Sequence, residues 1–318
     1  MRTRTFLLLL LFSTGAAAQV AATQPVRLIV PFASGGGTDI GARILAPYLA
    51  QALHRPVIVE NKPGASGMIG TEVVARAAAD GGTLLMGTST TMSAGPAIER
   101  NLPYNVVKDF VPVAIVATTE NLLVVHPSVP VSSARGFVAY AKTHPGQIAY
   151  GSSGVGSTYH LGTELFATEN GLSLIHVPYK GAAPAVQDLV AGRVQMMMEA
   201  LYSVAPNVKA GKVRALGIAS LHRSLKLPQV PTLEEQGIHG CEFSQWIALF
   251  LPAGASPELV HELNTDVNTA LRDPEVQERL DKVGLEPALG TPEDLETRLR
   301  TDLSRWTRVV HEAHITTD

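Results

Sequence analysis

Short apolar runs alternate with amphipathic stretches along most of the chain. The apolar runs are rich in β-branched residues and end at turn-forming residues, which predicts strands. These runs lie at residues 26–31, 56–60, 83–87, 113–117, 122–126, 148–152, 174–178, 194–198 and 214–220. Between them, stretches such as 40–53 and 133–142 repeat apolar residues at helical spacing. The alternation predicts an α/β fold built from βαβ units around mainly parallel sheets.

The pattern changes after residue 220. A polar, proline-bearing connector at 221–232 is followed by a predicted strand at 243–251. Ser256 and Thr291 each precede a Pro-Glu pair, which is typical of a helix N-cap followed by N1 and an acidic first turn. The helices predicted in this region lie at residues 256–271, 273–283 and 291–311.

This order of elements predicts two α/β lobes. A chain that leaves one lobe, builds a second and returns has two crossings, which we expect near residues 120 and 220. The first lobe would then contain residues 19–121 together with 221–318, and the second lobe residues 122–220.

The N-terminus has the layout of a secretory signal peptide. Arg2 and Arg4 precede an apolar run at 6–12, and the small residues 16–18 follow it. The alternative is a buried N-terminal helix or a membrane anchor, but this run is shorter than a membrane span. We therefore expect export with cleavage after Ala18.

Charge and cysteine content exclude several classes of protein. The formal net charge is −3, and removing the two leader arginines makes it more negative by two. An acidic chain without basic clusters is not expected to bind nucleic acid. Cys241 is the only cysteine, so an intramolecular disulfide is impossible, and its flanks carry no basic residue that would activate a thiol.

The most informative segment is the glycine-rich loop at 31–39, between a predicted strand and a predicted helix. Gly35, Gly36 and Gly37 allow a sharp turn with exposed amides, and Thr38 or Asp39 can cap the helix that follows. Free amides at the positive end of a helix suit a carboxylate or a phosphate. The loop lacks the Gly-Lys-Ser/Thr ending of a nucleotide-binding P-loop. A tight turn without any ligand remains the alternative.

A second loop of this kind occupies residues 150–160. Two such loops in separate halves of the chain suggest that two helix N-termini face one cleft and hold an anion between them. A serine hydrolase is the alternative, because G-x-S-x-G marks a nucleophile elbow. Val155 and Tyr150 occupy positions where that motif, centred on Ser153 or Ser152, needs glycine.

Other polar residues follow predicted strands, where an α/β sheet presents its ligand-facing loops. The hydroxyl-rich segment 88–91 can bind a carboxylate or can simply cap a helix. His160 and Glu164 are one helical turn apart, but two ligands without a third make a weak metal site. We predict no metal, no cofactor and no catalytic residue.

Taken together, these segments resemble the Bug family, the extracytoplasmic solute receptors of tripartite tricarboxylate transporters. The resemblance covers essentially the whole mature chain. It is carried by PFASGGGTD at 31–39, VIVENKPGASGMIG at 57–70, LPYNVVKDF at 102–110, VVHPSVP at 124–130, YGSSGVGSTYHL at 150–161, HVPYKG at 176–181, KAGKVRALGI at 209–218 and LPAGAS at 251–256.

The resemblance implies a type II periplasmic-binding-protein fold, in which two α/β lobes close over a ligand. It also implies that loops of both lobes bind a carboxylate, with Tyr179 and Glu199 at the distal end of the ligand. The implied ligand-binding residues are Phe32, Gly35, Gly36, Thr88, Ser89, Ser153, Ser157, Thr158, His160, Tyr179 and Glu199.

This chain departs from the family pattern at three places. Ser34 replaces a common proline, Glu199 stands where aspartate is usual, and residues 200–203 read Ala-Leu-Tyr-Ser instead of Asn-Leu-Pro-Ser. The resemblance therefore transfers the class of ligand more securely than its identity.

We accordingly expect a monomeric periplasmic receptor, not an enzyme, that captures a small carboxylate for the membrane subunits of a transporter. The first alternative is a sensory binding protein that presents its ligand to a sensor-kinase ectodomain. The second alternative is a secreted hydrolase on a related fold that uses Ser153 or Ser157.

Overall fold

The computed structural model describes residues 24–99 and 101–315, so the predicted leader and its cleavage after Ala18 lie outside the described residues. The strands are β1 Val26–Val30, β2 Val57–Asn61, β3 Thr83–Thr88, β4 Phe110–Thr119, β5 Asn121–Val125, β6 Ala149–Ser152, β7 Ile175–Pro178, β8 Met196–Ala200, β9 Arg214–Ile218, β10 Gln245–Pro252 and β11 Glu286–Pro287.

The helices are α1 Gly37–Ala52, α2 Met68–Ala75, α3 Gly95–Ile98, α4 Ala134–Lys142, α5 Thr158–Asn170, α6 Ala182–Val190, α7 Leu201–Lys209, α8 Pro257–Arg272, α9 Pro274–Lys282 and α10 Pro292–Glu312. A π-helical turn at Thr90–Ala94 leads into α3. The strands and helices named from the sequence pattern are all present. No helix in the described part of the chain is long and apolar enough to cross a membrane.

The strands form two separate sheets. The first has the order β11-β4-β10-β3-β1-β2, and the second has the order β7-β6-β8-β5-β9. The predicted two-lobe α/β fold is confirmed. The expectation of mainly parallel sheets is only partly right, because parallel pairing among the described residues is limited to β1 with β2 and β3, and to β6 with β7 and β8.

The antiparallel pairs arise where the chain passes from one lobe to the other. β4 leaves the first sheet at Thr119, and β5 enters the second sheet at Asn121, with only Glu120 between them. β5 then pairs antiparallel with β8 and β9, while β10, which returns to the first sheet, pairs antiparallel with β3 and β4. A strand that arrives from the opposite lobe runs against the direction that the βαβ units set.

The two crossings lie side by side. Asn121 donates its side-chain amide to the carbonyl of Phe243 at 2.9 Å, and Gln245 pairs with Thr119. The amide of Leu201 donates to the carbonyl of Glu120 at 2.8 Å, which ties the start of α7 to the same place. This cluster is the only route of the described backbone between the sheets, and it has the form of a hinge.

Segment 221–243 packs on the second sheet. Leu227 and Val230 are buried with residues of that sheet, and so are Leu233 and Phe243. The sequence analysis assigned this segment to the first lobe because its polar, proline-bearing composition resembles a crossing. We propose instead that the second crossing lies at 243–245, and the lobe boundaries otherwise stay a prediction.

The last long helix joins the two lobes. α10 begins with a capping box between Thr291 and Asp294, as the predicted N-cap at Thr291 requires. Its first half buries Leu295 in the core of the first lobe, and its second half buries Trp306 against the second lobe. Trp306 meets Phe243 edge to face at 5.9 Å between ring centroids. The helix therefore braces both lobes on the side of the crossings.

Candidate functional site

The first glycine loop leads from β1 into the N-terminus of α1. Gly35 has a φ of +87°, which residues with a side chain rarely adopt. Gly36 is the N-cap and has no side-chain bond to the helix, so the expected capping by Thr38 or Asp39 is wrong. The first amides of the helix, from Gly37 to Asp39, have no acceptor within the helix itself. They mark its positive end behind an exposed loop.

A buried carboxylate holds this loop in shape. Asp39 accepts hydrogen bonds from the amide of Gly35 at 2.9 Å, from Asn61 at 3.0 Å and from Arg43 at 3.0 Å. Asn61 also donates to the carbonyl of Phe32 at 3.0 Å. Burial raises the pKa of Asp39, but these donors outweigh burial and the pKa lies below its ordinary value. The Gly35 amide is thus used inside the protein, whereas the amides at the helix end are not needed for this brace.

The hydroxyl-rich segment after β3 divides into an inner and an outer pair. Thr88 and Thr91 bond each other, since the amide of Thr88 donates to the Thr91 hydroxyl at 3.0 Å and the amide of Thr91 donates to the Thr88 hydroxyl at 3.3 Å. Ser89 donates to the side chain of Gln245 at 2.6 Å. Ser89 and Thr90 lie in the π-helical turn region and meet the second lobe.

The second glycine loop leads into α5 and uses many of its own donors. Ser157 is the N-cap of α5 and accepts from the amide of His160 at 3.2 Å. The amide of Gly156 donates to Nδ1 of the His160 ring at 3.2 Å. The amide of Thr158 donates to the hydroxyl of Thr90, in the first lobe, at 3.3 Å. Ser153 is half-buried in the same loop.

These two groups of residues bring the lobes into direct contact. The Thr158 hydroxyl lies 3.2 Å from that of Ser89 and 3.0 Å from that of Thr90. Farther along the contact, Ser66 donates to the carbonyl of Val155 at 3.1 Å. The hydroxyls and helix end that the sequence assigned to opposite walls therefore meet in the structure.

Glycines keep this contact close. A Cβ on Gly156 would lie 2.9 Å from the side chain of Ile98 in the first lobe. Within that lobe, a Cβ on Gly67 would lie 2.5 Å from Thr91 and 3.1 Å from Phe32. Phe32 is thereby placed next to the hydroxyl-rich segment, and neither glycine can take a side chain without a shift of its neighbours.

Behind the second loop, three rings form a stack. His160 and His176 lie 4.0 Å apart between centroids, and Tyr150 lies 4.8 Å from His176. Burial lowers the pKa of His160 to about 3, with a smaller contribution from His176, and burial lowers the pKa of His176 to about 4. Both rings are neutral at physiological pH, so they can accept or donate a hydrogen bond but bring no positive charge to an anion.

The hydrogen bonds of this stack differ from those of a hydrolase or a metal site. His176 Nε2 is 2.7 Å from the hydroxyl of Ser152, and Glu164 accepts from the hydroxyl of Tyr150. Within the described residues, neither Ser153 nor Ser157 is hydrogen-bonded to a histidine ring. Glu164, considered above as a metal partner of His160, is engaged by Tyr150.

Glu199 stands at the end of β8 as a fully buried carboxyl. One of its oxygens accepts from the amide of Ala200 at 2.9 Å, and the other has no hydrogen-bond partner in the described part of the chain. Burial raises its pKa to about 8, although the Ala200 amide and the nearby Tyr159 lower it. At neutral pH this carboxyl is therefore mostly protonated.

Tyr179 is bound within the second lobe. Its hydroxyl donates to Asp188 at 2.7 Å, and Asp188 also pairs with Arg193 at 2.8 Å. Burial, together with the Asp188 bond, raises the pKa of Tyr179 to about 12. Its phenol is thus committed to Asp188, whereas the sequence analysis set it to read the distal end of a ligand.

The structure brings Ser89, Ser157, Thr158 and His160 together where the lobes meet and places Phe32 beside them. Their contact with a ligand remains a prediction. Sequence reasoning did not select Ser66, Thr90, Tyr159, Tyr202 or Gln245. Only the departure of residues 200–203 from the family pattern drew attention to Tyr202, and nothing in the sequence links Gln245 to Ser89.

Comparison with known proteins gives the same picture as the fold. Residues 41–315 match the profile of the tripartite tricarboxylate transporter family receptor. The protein BugT of Bordetella pertussis is 38% identical over 305 residues, which cover 94% of this chain and 94% of BugT.

Solved structures are also similar. Rpa4515 of R. palustris, determined with adipate, has a TM-score of 0.86 and 37% identity, covering 92% of this chain and 98% of its own. MatC from Rhodopseudomonas palustris, determined with bound malate, has a TM-score of 0.83 and 33% identity, covering 90% of this chain and 99% of its own. The chain therefore belongs to the family of tripartite tricarboxylate transporter receptors, which are solute-binding proteins.

Proposed function

We propose that this chain is an exported periplasmic receptor that closes its two lobes on a small carboxylate without changing it chemically. It delivers the bound acid to the membrane subunits of a tripartite tricarboxylate-type transporter. It acts as a monomer, without a metal or cofactor.

The observation that carries the proposal is the contact of Ser89 and Thr90 with Thr158. It joins the hydroxyl-rich segment of one lobe to the helix N-terminus of the other, beside the two glycine loops. A helix end and several hydroxyls favour an anion, whereas the neutral His160 supplies no charge. Adipate and malate in two related structures support a carboxylate as the ligand.

Closure follows from donors on both lobes. A ligand that bonds to both walls binds the closed arrangement more tightly than the open one, so it shifts the population toward closure. The paired crossings at Glu120 and Phe243 provide the hinge for that movement.

A titration with a blocked variant tests the site. Gly36 has a φ of −81°, and a Cβ there would meet nothing nearer than the carbonyl of Ala33 at 3.9 Å. Gly36→Leu should therefore fold normally while placing an apolar side chain in front of α1. We expect a panel of small mono- and dicarboxylates to raise the Tm of the unchanged protein, and the binding acid to have no effect on Gly36→Leu.

The matched control is Gly41→Ala inside α1, where a Cβ would meet only Leu285 at 3.8 Å. If no carboxylate raises the Tm of the unchanged protein, the ligand class is wrong. If Gly36→Leu binds as well as Gly41→Ala, the site is elsewhere.

Uptake of the binding acid in a strain lacking this protein tests the transport role. We expect uptake to fall and to recover with the unchanged gene. Normal uptake, together with ligand-dependent capture of a sensor-kinase ectodomain, would favour the sensory alternative.

A further inference from the structure

Two buried polar atoms beside the cleft have no hydrogen-bond partner among the described residues. They are the hydroxyl oxygen of Tyr159 and the second carboxyl oxygen of Glu199. The two residues are 4% and 0% exposed. Because folded proteins rarely leave buried polar atoms unsatisfied, such a pair calls for an additional partner.

The two atoms belong to one cluster in the second lobe. Tyr159 lies in the first turn of α5, Glu199 ends β8, and Tyr202 lies in the first turn of α7. The hydroxyl of Tyr159 is close enough to Tyr202 and to Glu199 for each neighbour to affect its pKa, although no well-formed hydrogen bond satisfies it. We call Tyr159, Glu199 and Tyr202 the inner cluster.

Tyr202 carries the inner cluster to the wall of the first lobe. Its ring packs on Gly37, where a Cβ would lie 2.9 Å from the ring and 3.2 Å from the hydroxyl oxygen. Its own Cβ packs on Gly284, where an added Cβ would lie 2.7 Å away. Tyr202 is therefore wedged between two glycines of the first lobe, with its hydroxyl at the first turn of α1.

The chemistry of this place favours an acceptor. Glu199 already accepts a bond on one oxygen, so its proton is best placed on the unpartnered oxygen. Burial raises the pKa values of Tyr159 and Tyr202, so both remain neutral donors. The positive end of α1 at Gly37 adds to the attraction of an anionic or carbonyl oxygen and opposes an ammonium group.

We propose that Tyr159, Glu199 and Tyr202 form an inner subsite that donates hydrogen bonds to a second oxygen-bearing acceptor group of the ligand. This inference rests on the proposed function, because the first carboxylate is held by the loops described above. It implies that the chain selects an acid with a carboxylate or carboxamide at its far end over a monocarboxylate, and rejects an ω-amino acid.

A matched ligand series tests the selectivity. Calorimetric titrations would use adipate, its monoamide, hexanoate and 6-aminohexanoate, together with the four-carbon series of succinate, its monoamide, butyrate and 4-aminobutyrate. In the chain length that fits, we expect the diacid and the monoamide to bind about tenfold or more tightly than the monocarboxylate. The ω-amino acid should bind no more tightly than the monocarboxylate.

Three variants assign that selectivity to the inner cluster. Tyr202→Phe and Tyr159→Phe keep the rings but remove the hydroxyls, and each should reduce the preference for the diacid about fivefold or more without weakening the monocarboxylate. Glu199→Gln keeps a neutral donor and should retain the preference. Tyr140→Phe, on α4 away from the cleft, is the matched control. Equal Tm values would show that the variants fold.

Each outcome decides between explanations. An unchanged preference in both phenylalanine variants means that the cluster is structural and overturns the subsite. Tightest binding of the ω-amino acid, lost in Glu199→Gln, means that Glu199 is a charged partner of an ammonium group and also overturns it. If no acid of either series binds, the proposed function fails together with the subsite, whereas binding with no preference overturns the subsite alone.

Discussion

The hydroxyl oxygens of Thr90 and Thr158 lie 3.0 Å apart, although one residue belongs to the first lobe and the other begins a helix of the second. The amide of Thr158 also donates to the Thr90 hydroxyl at 3.3 Å. One hydroxyl of the first lobe thus bonds both the backbone and the side chain at the N-terminus of α5. The relationship places closure of the lobes and binding of an anion at the same helix end.

Thr158→Val should weaken ligand binding by removing a hydroxyl that Ser89 and Thr90 contact. The change preserves side-chain shape, so we expect a loss of about fivefold to tenfold in affinity, which is the typical effect of one hydrogen bond. Calorimetry measures this loss. Thr168→Val, at the exposed end of the same helix, is the control, and equal affinities of the two variants would contradict the role of the contact.

Asp39→Ala should destabilise the first glycine loop, because the carboxylate accepts from Gly35, Arg43 and Asn61. We expect the free energy of unfolding to fall by about 1–3 kcal/mol and ligand affinity to fall with it. Denaturant unfolding and calorimetry provide the two values. The control is Glu72→Ala, which removes an exposed ion pair with Arg76 and should cost less than about 1 kcal/mol. Unchanged affinity in Asp39→Ala would show that the loop does not hold the ligand.

The affinity for a diacid should decrease as the pH rises through about 8. The pKa of Glu199 is raised to about 8, mainly by burial, so the protonated carboxyl that donates to the ligand is lost above that value. Tyr159 and Tyr202 face it with raised pKa values and stay neutral in this range. Calorimetry from pH 6 to 9.5 should show the decrease, and Glu199→Gln should remove it. An identical pH profile in the two proteins would argue against a proton on Glu199.

The same carboxyl also affects folding, with a sign that can be checked. Because its pKa in the folded protein is above the ordinary value of 4.5, its contribution to stability is complete below that value and is lost as the pH rises through about 8. Glu199→Gln should therefore lose less stability than the unchanged protein between pH 6 and 9.

Stability should also fall on the acidic side. The pKa values of His160 and His176 are lowered from 6.5 to about 3 and about 4, so the unfolded chain binds protons that the folded chain does not bind in this range. The free energy of unfolding should decrease as the pH falls from about 6.5 to about 4. His176→Asn should flatten this dependence, whereas His261→Asn at an exposed position of α8 should leave it unchanged. The same slope in both variants would contradict the account.

The alternation of apolar runs and amphipathic stretches was enough to predict the two-lobe fold. Helix starts at Ser256 and Thr291 carry local signals, and the structure places the N-caps there. The parallel order was only partly predicted, because the direction of β5 and β10 depends on where the chain crosses between lobes. The packing of segment 221–243 on the second lobe depends likewise on tertiary contacts of Leu233 and Phe243.

The site was less accessible to sequence reasoning. The glycine loops and the hydroxyl-rich segment announce themselves, because glycine and hydroxyl residues follow predicted strands. The partners that complete them do not: Gln245 is 156 residues from Ser89, and Tyr202 reaches Gly37 only because two glycines leave room for its ring. Asp39 was expected to cap a helix, yet its carboxylate braces the loop in front of that helix instead.

The central claim is that a small carboxylate is held between the lobes at the N-terminus of α1. Its most direct test is a parallel calorimetric titration of the unchanged protein and of Gly36→Leu with the carboxylate that most raises the Tm. The account predicts one binding site per chain in the unchanged protein and at least a hundredfold loss, on the order of 3 kcal/mol, in Gly36→Leu. Equal affinity in the two proteins, with both fully folded, would contradict it.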